Sequence, residues 1–457
     1  MKPQSPSALL PIAWPLFGEL LFGISVSLVG LTLAAHASSA ASGAFALANN
    51  VQSAFFLLLR VVSIGVSVAI TQALGAGNRP LADATARAAL GASTWAGLAT
   101  AVVVAFCARP MLLAMSAPAD VLPLATPYLQ LLALAIGLDA LNACMAAVMR
   151  AHLRPRDVLV TILSMHGLHL ALCAPLMHGF GPLPALGLQG YALALIASRL
   201  FGIALQLHLW RSRLALVPAA HDWWQVRPAR LASALHVGLP GAGEGLAYRL
   251  CMMATLAVVG RMGTQALATH AYTMQLMLFT VLPGLAIGLA TEILVGRAVG
   301  AADLRRADGL THRSLAWGLG FAVGIALLNA LAAPWTLRLF TSDESIIRTA
   351  QQLFWITVVL EPGRSFNLVV INALRATGDA RFPIAAGILS MVIVMAGGAW
   401  LLGARLGWGL AGVWIAYSAD EWLRGLMMAA RWRRRRWLPF AHAARRRARA
   451  LVPDAAG

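Results

Sequence analysis

The stretch Thr71-Gln-Ala-Leu-Gly75-Ala-Gly-Asn78 returns later in the chain in a second version, Gly296-Arg-Ala-Val-Gly300-Ala-Ala-Asp303, at a constant offset in numbering (296 − 71 = 225). The same offset relates identical residues on both sides of these stretches. They are Pro15 and Pro240, Glu19 and Glu244, Asn142 and Asn367, and Arg150 and Arg375. The sequence therefore predicts a chain made of two copies of one unit.

Composition gives the class of the protein. Of its 457 residues, 60% are hydrophobic and 11% are charged, whereas soluble domains contain about 25% charged residues. Apolar stretches of roughly 20 residues, long enough to cross a bilayer, occur about twelve times. They lie near residues 10–35, 44–70, 88–108, 122–148, 158–178, 187–210, 234–260, 266–294, 314–333, 346–373, 383–403 and 408–430. The prediction is an all-α integral membrane protein.

The repeat divides this membrane chain into parts. Residues 1–220 are predicted to form one six-helix half, residues 221–430 the other, and residues 431–457 a basic tail. A membrane protein built from two like halves has a natural solute site in the cleft between them. Its natural motion is the rocking of one half against the other.

The net charge of +18 follows the positive-inside pattern. Arginines crowd the loops on one side, and the alternate loops contain only Arg109, Arg261, Arg338 and Arg405. This bias predicts that both termini are cytoplasmic. The arginines of residues 431–436 and 445–449 are expected to contact anionic lipid headgroups. A nucleic-acid partner is not expected, because the tail lacks a folded platform with interleaved aromatic residues.

No enzymatic constellation stands out. The stretch 75–78 lacks the Lys and Ser/Thr of a phosphate-binding loop, and we identify no nucleophile–base pair, no metal-binding triad and no cofactor motif. If the chain moves a solute, the energy must come from an ion gradient or from the solute itself.

Several motifs resemble one transporter family. Besides the repeated stretch after the second helix, they are Gly238-Leu-Pro240 with Glu244, the run from Asn367 through Ala373-Leu-Arg375-Ala-Thr-Gly378-Asp-Ala-Arg381-Phe-Pro383, and the twin Gly187-Leu-Gln-Gly190 and Gly409-Leu-Ala-Gly412. Their order and twofold spacing over residues 10–430 resemble the multidrug and toxic compound extrusion (MATE) transporters.

This resemblance implies two six-helix bundles related by a pseudo-twofold axis, with a V-shaped cavity between them. It implies a bacterial inner-membrane exporter of small organic, often cationic, solutes that is driven by inward flow of H+ or Na+. The same exporter class includes flippases for lipid-linked substrates, which is the alternative function. A basic cavity would favour a flippase, but Arg60, Arg199 and Arg249 are scattered along the chain.

Carboxyl groups inside the membrane are the candidates for ion coupling, because each needs a partner or a function there. Glu19 and Glu244 occupy equivalent positions four residues after a proline. They are candidate proton sites, or they only hydrogen-bond to backbone groups that the proline frees. The aspartate that many bacterial MATE proteins place in the first helix is missing, since the corresponding positions are Ser25 and Gly30. This shifts the expected coupling site toward the C-terminal half.

Asp139 and Arg364 are also equivalent in the repeat (364 − 139 = 225) but carry opposite charges. One hypothesis is that they pair across the halves and gate the cavity, with Glu361 on the same helix face as Arg364. The other is a local Glu361–Arg364 pair that neutralises both. Asp139 and Glu361 are further ion-coupling candidates.

Polar side chains within the spans are candidates for lining the cavity. His270 and Gln275 match polar positions of the MATE family, and Asn50, Asn142 and Asn367 are the amides of this set. His166 and His169 share one face of the fifth helix, a weak signal for a metal site.

Overall fold

A computed structural model describes residues 9–179 and 184–449 of the protein. It omits the side chains of residues 31, 35–37, 57–58 and 60–62. Within the described ranges, the first half contains six long α-helices. They are α1 (Leu9–Ala37), α2 (Ser39–Gly75), α3 (Arg79–Ala114), α4 (Leu122–Ala151), α5 (Pro155–His178) and α6 (Gly187–Leu209).

The second half repeats this series and adds a short helix. Its helices are α7 (Pro228–Gly260), α8 (Thr264–Gly300), α9 (Leu304–Thr336), α10 (Glu344–Thr377), α11 (Arg381–Ser390, continued by π-helical turns to Arg405), α12 (Gly409–Arg433) and α13 (Leu438–Arg449). No strand occurs within residues 9–179 and 184–449. The predicted all-α membrane fold is confirmed.

Ten of the described helical segments are long and apolar enough to cross a membrane. The two other long helices are α2 and α12. Several side chains of α2 are outside the description, and α12 carries Asp420, Glu421 and Arg424 near its middle. These three charged residues lower the mean hydropathy of α12, which is why it is not among the ten apolar spans. Unlike most charged side chains, all three are buried.

The helix boundaries reproduce the sequence repeat. Helix α2 ends at Gly75 and α8 at Gly300, while α3 begins at Arg79 and α9 at Leu304. Both pairs differ by the offset of the repeat (300 − 75 = 225 and 304 − 79 = 225). The offset that relates the two sequences therefore also relates the two series of helices.

The described chain divides into two compact units. The N-terminal unit comprises residues 18–70 and 79–239. In it, α4 packs against both α3 and α6, and α6 packs against α5. The rings of Phe45, Tyr128 and Tyr191 meet in its core, with centroids 5.1 to 6.3 Å apart. This unit thus has its own hydrophobic core.

The C-terminal unit comprises residues 240–449 together with 9–17 and 71–78. Helix α10 is at its centre and packs against α8, α9 and α12. The repeated glycines allow close helix contact in this unit. A Cβ atom at Gly75 would overlap the carbonyl oxygen of Arg297, and one at Gly300 would overlap that of Gln72. The stretch that reveals the repeat therefore needs glycine for packing.

The basic end of the chain folds back onto the C-terminal unit. Helix α13 packs against α8 and α10, and its alanines at 441, 444 and 448 are buried. Trp432 and Trp437 stack with centroids 4.5 Å apart. Arg431 donates two hydrogen bonds to the carboxylate of Asp379. These contacts hold α13 in place while most of its arginines remain accessible.

Candidate functional site

Five charged side chains of α10 and α12 form one buried group in the C-terminal unit, here called the α10–α12 cluster. Its members are Glu361, Arg364, Asp420, Glu421 and Arg424. Spacings of three and four residues place side chains on the same face of a helix. Because α10 packs against α12, the two charged faces meet.

Arg364 connects the two helices. Its Nη1 donates to Oε1 of Glu361 at 2.6 Å on the same helix, and its Nε donates to Oε1 of Glu421 on α12 at 3.2 Å. Asn367, one turn further along α10, donates to the other oxygen of Glu421 at 3.0 Å. The predicted local Glu361–Arg364 pair is therefore present as part of a larger network.

Arg424 organises the other side of the α10–α12 cluster. Its Nη2 lies 2.6 Å from Oδ2 of Asp420 and 3.0 Å from Oε1 of Glu421. The hydroxyl of Ser390, at the end of α11, donates to the second oxygen of Asp420 at 2.6 Å. Three helices thus fix the positions of these carboxylates.

The cluster is buried and its charges do not balance. The side chains of Glu361, Asp420 and Glu421 are 2%, 1% and 7% exposed. Three carboxylates face two guanidinium groups, so the fully ionised cluster has one negative charge in excess (3 − 2 = 1). An uncompensated buried charge costs several kcal/mol, and a bound monovalent cation would remove that cost.

Glu361 has the fewest donors among the three carboxylates. Glu421 accepts from Arg364, Arg424 and Asn367, whereas Arg364 is the donor that the structure gives for Glu361. Donors to a carboxylate favour its ionised form. Glu361 is therefore the carboxylate of the cluster whose ionised form has the least hydrogen-bond support.

A small hollow lies beside the cluster. Its volume is about 10 Å³, and Tyr248, Tyr417 and three methionines border it together with Arg364, Asp420 and Glu421. This volume is close to the minimum that one water molecule requires. The hollow is therefore about the size of one water molecule and lies against two of the carboxylates.

The equivalent glutamates of the repeat each form an ion pair. In the N-terminal unit, Glu19 accepts from Nη1 of Arg150 at 2.8 Å. In the C-terminal unit, Glu244 accepts from Nη2 of Arg375 at 2.5 Å. The separation along the sequence is 131 in both pairs, so the contact itself is repeated. The sequence contained all four residues but did not show that they pair.

Asp139 has a different partner from the one hypothesised. It lies 2.5 Å from Nε of Arg199 on α6, while Arg364 binds Glu361 and Glu421. A gate made of Asp139 and Arg364 would have to break both arrangements, and this gate remains a prediction. Arg199 is occupied by a carboxylate, so it does not contribute a free cation to a basic cavity.

Two amide side chains, those of Asn142 and Gln206, lie beside the Asp139–Arg199 ion pair. Asn142 donates to the carbonyl oxygen of Arg199 at 3.1 Å and accepts from Gln206 at 2.9 Å. We call Asp139, Asn142, Arg199 and Gln206 the α4–α6 network. It contains one carboxylate and one guanidinium group, so its formal charges balance.

The two histidines of α5 lie near this network. His166 and His169 are 8% and 0% exposed, and the ring of His169 packs edge-on against Tyr191 with centroids 4.7 Å apart. Among the described residues, no three His, Cys, Asp or Glu side chains are grouped so that they could hold a metal ion. Both histidines are buried in the N-terminal unit.

The remaining candidates for cavity lining occupy different surroundings. His270 is buried, with its Nε2 3.5 Å from the hydroxyl of Tyr417. Asn50 is exposed and donates to the Ala46 carbonyl, and Gln275 is half-buried. The side chain of Arg60 is outside the described residues. Whether these groups line a solute cavity remains a prediction.

Sequence reasoning missed how the charges of α12 are used. The spacing of three residues between Glu421 and Arg424 predicts a local pair on one helix face, but in the structure both also belong to a network that includes α10. Their position one helix turn apart, midway along an apolar span, was the available signal. Glu292, a buried carboxylate of α8, was not singled out at all.

Comparison with known proteins reveals a family twice within the chain. The sequence model of the family MatE matches residues 15–174 and again residues 240–400. The starts of the two matches differ by the offset of the repeat (240 − 15 = 225). The predicted duplication is therefore confirmed independently of the motifs.

Individual proteins match over nearly the full length. The chain is 32% identical to the uncharacterized transporter YisQ of Bacillus subtilis, covering 94% of this chain and 95% of the relative. It is 28% identical to the probable multidrug resistance protein NorM of Bradyrhizobium diazoefficiens, covering 93% and 92%. A crystal structure described as MATE in the bent conformation superposes with a TM-score of 0.86 at 18% identity, covering 96% of each chain.

Proposed function

This chain belongs to the MATE family of membrane transporters, and from that premise we propose that it exports small organic cations in exchange for inward H+ or Na+. The family establishes a multi-pass membrane transporter rather than an enzyme. The coupling ion and the charge of the solute are our proposal.

The unbalanced charge of the α10–α12 cluster carries this proposal. A buried site with one surplus negative charge can be neutralised by a proton, by Na+ or by a cationic solute, but by only one of them at a time. Such competition is the requirement for antiport. The balanced α4–α6 network has no comparable demand for a cation.

Glu361 is the residue that we propose carries the coupling proton. It is buried, has Arg364 as its donor and belongs to the helix at the centre of the C-terminal unit. Protonation would neutralise the cluster and weaken its hold on a cationic solute. A ligand shifts the equilibrium between two conformations only when it binds them with different affinity. We propose that the protonated and the deprotonated cluster favour different conformations of the transporter, which would couple proton binding to alternating access.

We further propose that the protein lies in the bacterial inner membrane with both termini in the cytoplasm. The arginine bias of the loops supports this orientation. In the structure, the arginines at the end of α12 and in the turn that follows, residues 433–436, are exposed, which supports contact with anionic headgroups. Each basic residue at such a surface contributes about 1 kcal/mol.

Binding of a cationic dye to the purified full-length protein tests the antiport proposal. Ethidium fluorescence anisotropy would be followed while pH is lowered at fixed ionic strength, and separately while NaCl replaces KCl at fixed pH. We expect release of ethidium by H+ or by Na+, with K+ as the ineffective control. Absence of ethidium binding, or binding that ignores both ions, would contradict the proposal.

A further inference from the structure

A cavity of about 550 Å³ opens beside the cytoplasmic end that we propose for α12, within the C-terminal unit. Its volume is within the range of about 300–1,000 Å³ that is typical of small-molecule sites. Helices α9, α10 and α12 form its walls. The side chains that matter here are Leu315, Phe366, Val370, Leu426, Arg433 and Arg434.

The two ends of this cavity differ in polarity. Leu315, Phe366 and Leu426 make one end apolar, and Arg433 and Arg434 lie at the other. Leu426 and Arg433 are seven residues apart on α12, which corresponds to about 10 Å along a helix. The cavity therefore suits a molecule with an anionic group and an apolar chain.

The arginine end is available to an external anion. Arg433 and Arg434 are exposed, and neither forms an ion pair with a carboxylate in the part of the chain that the structure describes. The nearby carboxylate of Asp308 already accepts a hydrogen bond from the indole of Trp432 at 2.7 Å and lies 3.7 Å from the ring of His312. The rim thus has two available guanidinium groups.

The surroundings favour a lipid over a soluble anion. Leu426 is 56% exposed on a helix of the membrane unit, so the apolar end is open to acyl chains. Trp432 lines the cavity and is buried by stacking on Trp437, so it adds a rigid apolar surface next to the arginines. A soluble anion such as phosphate would leave the apolar walls without a partner.

We propose that this cavity binds one anionic phospholipid of the cytoplasmic leaflet. Its phosphate would contact Arg433 and Arg434, and one acyl chain would lie against Leu315, Phe366 and Leu426. This inference deepens the proposed contact between the basic tail and headgroups by assigning it a discrete site. It does not depend on the coupling ion or on the exported solute.

Native mass spectrometry of the full-length protein in detergent measures the site directly. Dioleoylphosphatidylglycerol would be titrated in, with dioleoylphosphatidylcholine and inorganic phosphate as separate comparison ligands. We expect one phosphatidylglycerol to bind before any further lipid, phosphatidylcholine to bind more weakly, and inorganic phosphate not to displace the bound lipid. Equal binding of both lipids, or displacement by phosphate, would overturn the proposal.

Two double variants with the same loss of charge separate the site from the general tail. Arg433→Ala with Arg434→Ala should weaken the first phosphatidylglycerol by roughly 30-fold, because two basic contacts are lost. Arg435→Ala with Arg436→Ala, which removes exposed arginines that do not line the cavity, should leave that first lipid bound. If both double variants bound the first phosphatidylglycerol equally weakly, the lipid would be held by non-specific attraction to the basic tail, and a discrete site would be excluded.

A third variant tests the apolar part without changing charge. Ala430 lines the cavity and is exposed, so Ala430→Trp should fill it with little strain on the fold. We expect loss of the first phosphatidylglycerol, with unchanged elution of the monodisperse protein as the control for folding. Undiminished binding would show that the acyl chain does not enter the cavity and would overturn the proposal.

Discussion

The two units bury polar groups in different ways. In the N-terminal unit, the α4–α6 network pairs one carboxylate, Asp139, with one guanidinium group, Arg199, and amides surround them. In the C-terminal unit, the α10–α12 cluster sets three carboxylates against two guanidinium groups. The repeat copies the helices, but it does not copy this balance of charge.

This difference in charge balance indicates that the buried polar groups of the two units have different roles. A balanced network neutralises its own charges, so breaking it should mainly cost stability. A cluster with a surplus charge needs a cation from outside, so its surplus carboxylate should matter for transport more than for folding. Variants in both units test this contrast, beginning with the largest expected loss of stability.

Loss of Arg424 should have the largest effect. Arg424→Gln leaves three buried carboxylates against Arg364 alone, and an uncompensated buried charge costs about 3–5 kcal/mol. We expect a large fall in the thermal unfolding temperature of the detergent-purified protein. Arg436→Gln, at an exposed arginine just after the same helix that does not line the lipid cavity, serves as the matched control and should unfold near the wild-type temperature. Equal stability of the two variants would refute the central role of Arg424.

Breaking the balanced pair should cost nearly as much. Asp139→Asn leaves Arg199 buried without a counter-ion, which we expect to destabilise the protein by roughly 3 kcal/mol. Adding Arg199→Gln removes the stranded charge, so the double variant should recover much of the loss. Thermal unfolding of the single and double variants measures this coupling. Additive losses would show that the two side chains act independently.

The repeated glutamate–arginine pairs should show a smaller, graded effect. Glu244→Gln should cost about 2 kcal/mol, because its partner Arg375 is 13% exposed and hydrogen bonds between charged groups are strong. Glu19→Gln should cost about 1 kcal/mol, since Glu19 is 22% exposed and solvent screens its pair. Thermal unfolding of the two variants, measured in parallel with wild type, checks that Glu244→Gln loses more stability than Glu19→Gln. The reverse order would mean that burial does not set the strength of these pairs.

Glu361→Gln should have the smallest effect on stability. It removes the surplus negative charge and keeps an oxygen that can accept from Arg364, while Arg364 retains Glu421. We expect a change within about 1 kcal/mol, in contrast to Asp139→Asn. A loss as large as that of Asp139→Asn in thermal unfolding would argue against a surplus charge in the cluster.

Much of the fold was predictable, because duplication and hydropathy are visible in the sequence. The constant offset predicted two equivalent series of helices, and the structure confirms it in helix ends that differ by that offset. The ends themselves were predicted too early, because α2 and α8 continue to Gly75 and Gly300, into the stretch that the sequence placed after them. The Glu361–Arg364 pair was also predictable as one of two alternatives, since a spacing of three residues on a helix decides it. These are local or periodic features.

Contacts between distant helices were not predictable in the same way. The offset of the repeat suggested Arg364 as the partner of Asp139, but the packing of α4 against α6 gives it Arg199 instead. Likewise, the charges of α12 join those of α10 only because the two helices pack together. A single sequence does not show which faces of two helices meet. The surplus of carboxylates over guanidinium groups in the α10–α12 cluster could therefore be counted only from the structure.

A coupling site in the α10–α12 cluster is best tested by comparing ethidium binding in wild type, Glu361→Gln and Asp139→Asn at a series of pH values and Na+ concentrations. We expect wild type and Asp139→Asn to release ethidium as the coupling cation is added, whereas binding to Glu361→Gln should be weak and independent of that cation. Wild-type release that persists in Glu361→Gln, or is lost only in Asp139→Asn, would contradict a coupling site in this cluster.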